Sequence, residues 1–130
     1  MSKSVFIVDD SPTVRKLLSL TLKFRGYNVI GAANGKDAWG ILQKDKFDIA
    51  VIDIIMPIMD GMELLSKIKD DDRINSIPII ILVAEGDEKS IRKGKELGAD
   101  SYLVKPFQPD ELLAKVESLL KTGEKLYDNR

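Results

Sequence analysis

Cysteine and histidine are both missing from the 130-residue chain. Their absence excludes disulfides, thiol and imidazole nucleophiles, and the usual Cys/His zinc sites. An excess of either charge is missing too: 20 Lys+Arg face 21 Asp+Glu, which leaves a formal charge of −1 and a pI near 5.5. So balanced a chain gives no reason to expect a nucleic-acid partner or a polybasic membrane anchor. No apolar run approaches the length of a membrane span, and Met1-Ser2-Lys3-Ser4 leads straight into a strand pattern, not a signal peptide. A soluble, cytoplasmic chain is expected. Its chemistry must use carboxylates, lysines, hydroxyls, backbone groups and a hard metal ion.

What is present alternates regularly, and the length fits one domain that buries roughly two-thirds of its unfolded surface. Ser4-Val5-Phe6-Ile7-Val8 is an apolar run of strand length that ends at Asp9-Asp10. Ser11-Pro12 supplies a helix cap and a proline suited to the first turn; Val14, Leu17, Leu18, Thr21 and Leu22 come next at helical spacing until Gly26. A second strand is expected over Tyr27 to Ala32, a turn at Asn34-Gly35, and a helix carrying Ala38, Trp39, Ile41 and Leu42 up to about Asp45. The third strand, from Ile49, ends on Asp53, and Pro57 and Asp60-Gly61 mark a loop after it. Met62, Leu64, Leu65 and Ile68 predict a third helix, and Asp70-Asp71-Asp72 beyond it reads as solvated charge. A strand over Ile79 to Val83, a helix from Asp87 to Leu97, a strand over Ser101 to Val104 broken by Lys105-Pro106, and a helix from Pro109-Asp110 to Gly123 complete the pattern. The domain is expected to span residues 1–123, with 124–130 a flexible tail and no output domain after it.

Five apolar strands alternating with five helices imply an α/β fold: a parallel sheet with helices on both faces. Five such units suit a flavodoxin-like (βα)5 doubly wound sheet of order 2-1-3-4-5, whose ligands sit outside the carboxyl ends of the strands. That edge receives Asp9 and Asp10 from the first strand, Asp53 from the third, Val83-Ala84-Glu85 from the fourth and Lys105-Pro106 from the fifth. The clustered carboxylates repel one another, and a divalent cation would relieve that repulsion. An oxygen-only donor set favours Mg²⁺, with Mn²⁺ as a substitute. An ionised Asp needs no general base to attack phosphorus, so the lack of histidine does not exclude phosphoryl chemistry.

Val8-Asp9-Asp10-Ser11, Asp53-Ile54-Ile55-Met56-Pro57-Ile58-Met59-Asp60-Gly61 and Lys105-Pro106-Phe107 closely resemble the receiver domain of bacterial response regulators, of the single-domain CheY-like type. The resemblance covers residues 4 to about 121. It implies that Asp53 is the phosphoacceptor of a two-component phosphorelay, and that Asp9, Asp10, Asp53 and the backbone carbonyl of Ile55 hold Mg²⁺. Lys105 would contact the phosphoryl oxygens, next to a cis peptide before Pro106, and Tyr102 would be the aromatic switch residue. The chain would assist its own phosphorylation and dephosphorylation without being an enzyme. Its partners would be a sensor histidine kinase or phosphotransfer protein and a protein target on the face made by the fourth helix, fifth strand and fifth helix, the chain itself being a monomer.

One position departs from that pattern. Before the small residue Ala84, where such domains carry Thr or Ser, this chain has Val83. Valine packs like threonine but donates no hydrogen bond, so phosphorylation is expected to survive while its coupling to Tyr102 weakens. The resemblance further implies that Ile55 and Glu85 would flank the phosphoryl group and modulate its hydrolysis. A receiver-like scaffold that binds partners without phosphorylation stays open on account of Val83. A haloacid-dehalogenase-type phosphatase would need a second Asp where Ile55 stands, and Asp9-Asp10 would repel a flavin phosphate.

Overall fold

Strands and helices alternate through residues 2–122, the part that the structure, a computed structural model, describes. The stop expected at Gly123 and the tail expected at 124–130 lie outside the described residues. The elements are β1 (Ser4–Val8), α1 (Pro12–Phe24), β2 (Asn28–Ala32), α2 (Gly35–Leu42), β3 (Ile49–Asp53), α3 (Gly61–Lys69), β4 (Ile79–Ala84), α4 (Glu88–Glu96), β5 (Ser101–Lys105) and α5 (Pro109–Thr122). All pairings are parallel and the order is β2-β1-β3-β4-β5, the flavodoxin-like arrangement.

Alternation along each strand divides the core into two layers. Phe6, Val8, Ala50, Ile52, Ile81 and Val83 face α2, α3 and α4, where Leu42, Leu64, Leu65 and Ile68 cover them. Val5, Ile7, Val51, Ile80 and Leu82 face α1 and α5, beneath Leu18, Leu22, Leu112 and Val116. Each such side chain contributes roughly 1.5–3 kcal/mol by leaving water, which fixes the strands rigidly and delivers their ends to one edge.

Several expectations need correction. Asn34-Gly35 is not a turn between strand and helix: the Asn34 Oδ1 accepts the Asp37 amide at 2.8 Å as an N-cap, Gly35 is already helical, and α2 stops at Leu42, short of Asp45. The strands are also not uniformly buried. β2 begins at Asn28, pairs only with β1, and leaves Asn28, Ile30 and Gly31 exposed. β4 and β5 each run one residue further than expected, so that Lys105 is the last strand residue.

Candidate functional site

At the carboxyl edge β1 hands over Asp9 and Asp10, after which Ser11 turns the chain into α1, its Oγ accepting the Val14 amide at 3.2 Å. Asp9 is fully buried. Its Oδ1 accepts the Ser11 amide at 2.9 Å, its own amide donates to the Ala32 carbonyl at 3.1 Å, and the Arg15 guanidinium donates to its carbonyl at 2.7 Å. Asp10, by contrast, is exposed. β3 ends on Asp53, only 6% exposed, with Oδ1 accepting a long 3.3 Å bond from the Ile55 amide. β5 brings Lys105, whose Nζ donates to Asp9 Oδ2 at 2.9 Å and to Asp53 Oδ2 at 3.0 Å. The Lys105–Pro106 peptide is cis. Residues from three distant parts of the chain thus form one charged pocket.

Burial pushes the Asp53 carboxyl above its ordinary pKa, and the charge of Asp9 adds to this; the bond from Lys105 and the Ile55 amide work the other way without reversing it. Burial works to lower the Lys105 ammonium, but its hydrogen bonds to Asp9 and Asp53 and their charges outweigh that and hold it above the usual lysine value. Asp9, Asp10 and Asp53 each present a carboxylate oxygen, all within 4.8 Å of one another. Three carboxylates against one ammonium leave negative charge uncompensated, and every donor is a hard oxygen. The residues therefore fit a hard divalent cation, with exposed Asp10 leaving room for the waters that Mg²⁺ keeps.

The loop after β3 closes this pocket from one side. Its base is fixed by the Gly61 amide donating to the Ile54 carbonyl at 2.9 Å. The Met59 amide donates to the Pro57 carbonyl at 2.8 Å, a γ-turn centred on Ile58 at φ 70. Positive φ in a β-branched residue is strained. Ile55 and Ile58 stand out of the loop, 67% and 74% exposed.

The other residues singled out in the sequence lie around this pocket. Val83 is 1% exposed, and its side chain belongs to the layer beneath α3 and α4. Ala84 ends β4, and it and Glu85 are exposed. Tyr102 is half-buried against the same layer as Val83, with the Lys115 ammonium 5.3 Å from its ring centroid; Lys115 also donates to the Ser101 Oγ at 3.1 Å. The acidic run Asp70-Asp71-Asp72 lies beyond the far end of α3 from the pocket, where Asp71 pairs with Arg73 at 2.8 Å.

The response regulator receiver domain profile matches residues 5–117. The chain belongs to that family. Chemotaxis response regulator CheY4 of Vibrio cholerae superposes with a TM-score of 0.87 at 36% identity, covering 92% of this chain and 100% of that one. The signal receiver domain of a signal transduction histidine kinase from Syntrophus aciditrophicus is 31% identical with a TM-score of 0.86, covering 96% of this chain and 97% of that one. Phosphate regulon transcriptional regulatory protein PhoB of Pseudomonas aeruginosa is 36% identical over 121 residues, which are 93% of this chain and 53% of that protein. The chain spans about half the length of the curated relatives it matches. Receiver domains are signalling proteins that bind Mg²⁺ at an acidic pocket and interact with histidine kinases and downstream effectors. No helix among the described residues is long and apolar enough to cross a membrane.

The roles of three residues carried no usable signal in the sequence. Arg15 reaches the Asp9 carbonyl from one turn into α1, where an arginine looks like any solvated charge. Gly35 and Gly61 look like turn residues, yet both open helices against the acceptor loop; a Cβ on Gly61 would lie 2.2 Å from the Asp53 carbonyl oxygen.

Proposed function

We propose that this domain accepts a phosphoryl group on Asp53 and passes the signal on through protein contacts. The observation that carries the reading is the Lys105 ammonium bridging the buried Asp9 and Asp53 carboxylates, with Asp10 beside them. Among the described residues the Asp53 oxygen not held by Lys105 has only the long Ile55 bond, and it is the nucleophile. It forms the new P–O bond as the bond from phosphorus to the donor breaks, and the donor departs with that electron pair. Lys105 keeps its partner throughout, since the charge it neutralises on Asp53 moves outward onto the phosphoryl oxygens. Asp9, Asp10, Asp53 and the Ile55 carbonyl would hold Mg²⁺, which supplies charge neutralisation at the transferring group. The donor is a histidine kinase or phosphotransfer protein. Its seat is the exposed stripe Leu17, Leu20 and Phe24 on α1, which continues into a groove of about 290 Å³ lined by Val14, Leu17, Lys105, Pro106 and Phe107.

Incubation with acetyl phosphate and Mg²⁺ tests the proposal by intact mass. One phosphoryl group should add to the parent chain, none in EDTA and none in Asp53→Ala. A parent chain that stays unmodified would leave the second reading, a binding module that works without phosphorylation, which the missing hydroxyl at Val83 favours.

Two variants probe the lifetime of the phosphoryl group and its coupling to the rest of the domain. Ile55, apolar and at the mouth of the pocket, impedes the in-line approach of water, so Ile55→Asn should lose its phosphoryl group several-fold faster than the parent; equal decay rates would refute the role. Val83→Thr supplies the absent donor. In the resting state the hydroxyl would be buried in the layer beneath α3 and α4, at a cost of about 1–3 kcal/mol unless it finds a partner. On phosphorylation it would gain a charge-assisted bond worth about 1.5–3 kcal/mol. Both effects favour the phosphorylated arrangement, so the variant should unfold more easily yet show a larger phosphorylation-dependent shift of the Tyr102 ring resonances by NMR. An unchanged shift would remove the idea. The output face is α4, β5 and α5, where Lys89, Arg92, Lys93 and Lys95 of α4 are exposed and β5 carries Tyr102.

A further inference from the structure

The segment Ala32–Gly35 leaves β2 and reaches the loop after β3, crossing the end of β1, because the sheet order sets β1 between the two. It is tied at both ends by backbone bonds. The Asp9 amide donates to the Ala32 carbonyl at 3.1 Å, and the Gly35 amide donates to the Met59 carbonyl at 3.1 Å. One short strap therefore joins the loop that carries Asp9 and Asp10 to the loop that carries Ile55.

Neither end has slack. The Met59 amide is engaged in the γ-turn on Pro57 and its carbonyl in the bond from Gly35, so both polar groups of this peptide position are fixed. At the other end Asn34 caps α2 through the Asp37 amide at 2.8 Å. Between them a Cβ on residue 35 would lie 2.3 Å from the Met59 carbonyl oxygen and 2.8 Å from the Met59 Cβ, against an ordinary contact of 3.4 Å or more. Any side chain there must push the acceptor loop and the start of α2 apart by about 1 Å. The loop cannot absorb this near Met59, because residues 57–59 are locked in the γ-turn and its base is closed by the Gly61–Ile54 bond. The displacement passes to Ile55 and Met56. Gly40, on the same helix, has nothing within 4 Å of its would-be Cβ.

We infer that Gly35 is a positioning residue for the cation site: through Met59 it sets the distance of the Ile55 backbone from Asp9 and Asp10. This rests on reading Asp9, Asp10 and Ile55 as that site. Mg²⁺ demands near-ideal octahedral geometry, and loss of a supporting residue outside the ligand set typically weakens metal binding by roughly 10- to 100-fold.

Mn²⁺ titration of the full chain by electron paramagnetic resonance, with Mg²⁺ as competitor, tests the inference well below the unfolding temperature. Gly35→Ala should bind both ions at least about tenfold more weakly, and Gly40→Ala should bind like the parent. Asn34→Ala, which removes the cap without adding bulk, should weaken binding by a smaller factor. A role in folding alone would lower the unfolding temperature of Gly35→Ala and leave its ion affinity intact, and that result overturns the inference. So does Gly40→Ala weakening binding as much as Gly35→Ala. Should Gly35→Ala fail to fold, parental affinity in Asn34→Ala overturns it. A parent chain that takes up phosphate from acetyl phosphate but binds neither ion, or does neither, removes the reading of the cation site and the inference with it.

Discussion

Gly61→Ala is expected to cost about 3 kcal/mol of stability, the upper end of what one added methyl group does in a packed structure. The methyl carbon would sit 2.2 Å from the Asp53 carbonyl oxygen, 2.5 Å from the Ile54 Cα and 2.9 Å from the Asp53 carbonyl carbon. These are backbone atoms, so no side chain can swing aside. Moving α3 is no easier, because Leu64, Leu65 and Ile68 are fully buried one and two turns later. The strain must fall on the end of β3, where Asp53 is aimed at Lys105. Phosphoryl uptake by the folded fraction should therefore slow as well, by tenfold or more, since about 1 Å of misplacement can cost roughly a hundredfold in rate. Urea unfolding is the measurement, with Gly40→Ala alongside. That substitution puts a methyl group into open space inside a helix and should raise stability by about 0.5–1 kcal/mol. A Gly61→Ala midpoint within error of the parent would mean that the approach of α3 to β3 is not tight in solution.

The difference between these two glycines marks what the sequence could and could not disclose. The fold was legible because it depends on patterns: period-two and continuous apolar runs for strands, 3.6-residue spacing for helices, and punctuation by Gly, Pro and Asn. The pocket was legible because its charged members stand at the ends of runs, so that topology alone brought Asp9, Asp10, Asp53 and Lys105 together. What stayed hidden depends on close approach between segments distant in sequence. Asn34-Gly35 read as a turn and Asp60-Gly61 as a loop marker, and both are a helix cap and a first helical residue pressed against the acceptor loop. Nothing local distinguishes a glycine needed for a turn from one needed for lack of a side chain. Ile58 at φ 70 is hidden for the opposite reason, since a β-branched residue argues against the conformation it adopts. β2 was misjudged by one residue at its start and in its burial, because an edge strand differs from a central one by its neighbours, not by its own residues.

The same pocket predicts a conflict between stability and function at Asp53. Replacing it with Asn keeps the shape, removes the negative charge, and should abolish phosphoryl uptake while making the cation-free protein more stable. Burial and the charge of Asp9 disfavour ionised Asp53 by more than Lys105 and the Ile55 amide favour it, as the raised pKa of its carboxyl records. Proton linkage gives the sign. A raised folded-state pKa means that the native state holds the proton more tightly than the unfolded chain, so stability falls as pH rises from the unfolded value near 3.8 through the folded one. As pH rises through that window the parent takes on this cost, and Asp53→Asn carries none. Single stabilising substitutions commonly gain about 0.5–2 kcal/mol, and the fall in stability with pH over that window should be shallower in the variant. Divalent cation narrows the difference. Mg²⁺ at ten times its dissociation constant would add about 1.4 kcal/mol to the parent, and less to a variant with one ligand charge fewer. Urea unfolding in EDTA and in saturating Mg²⁺, from pH 4 to pH 8, measures all three effects. An Asp53→Asn chain less stable than the parent in EDTA would mean that the Lys105 pairing outweighs burial, and that the acceptor carboxylate is held in place by its counter-charge instead of being kept, at some cost in stability, for its chemistry.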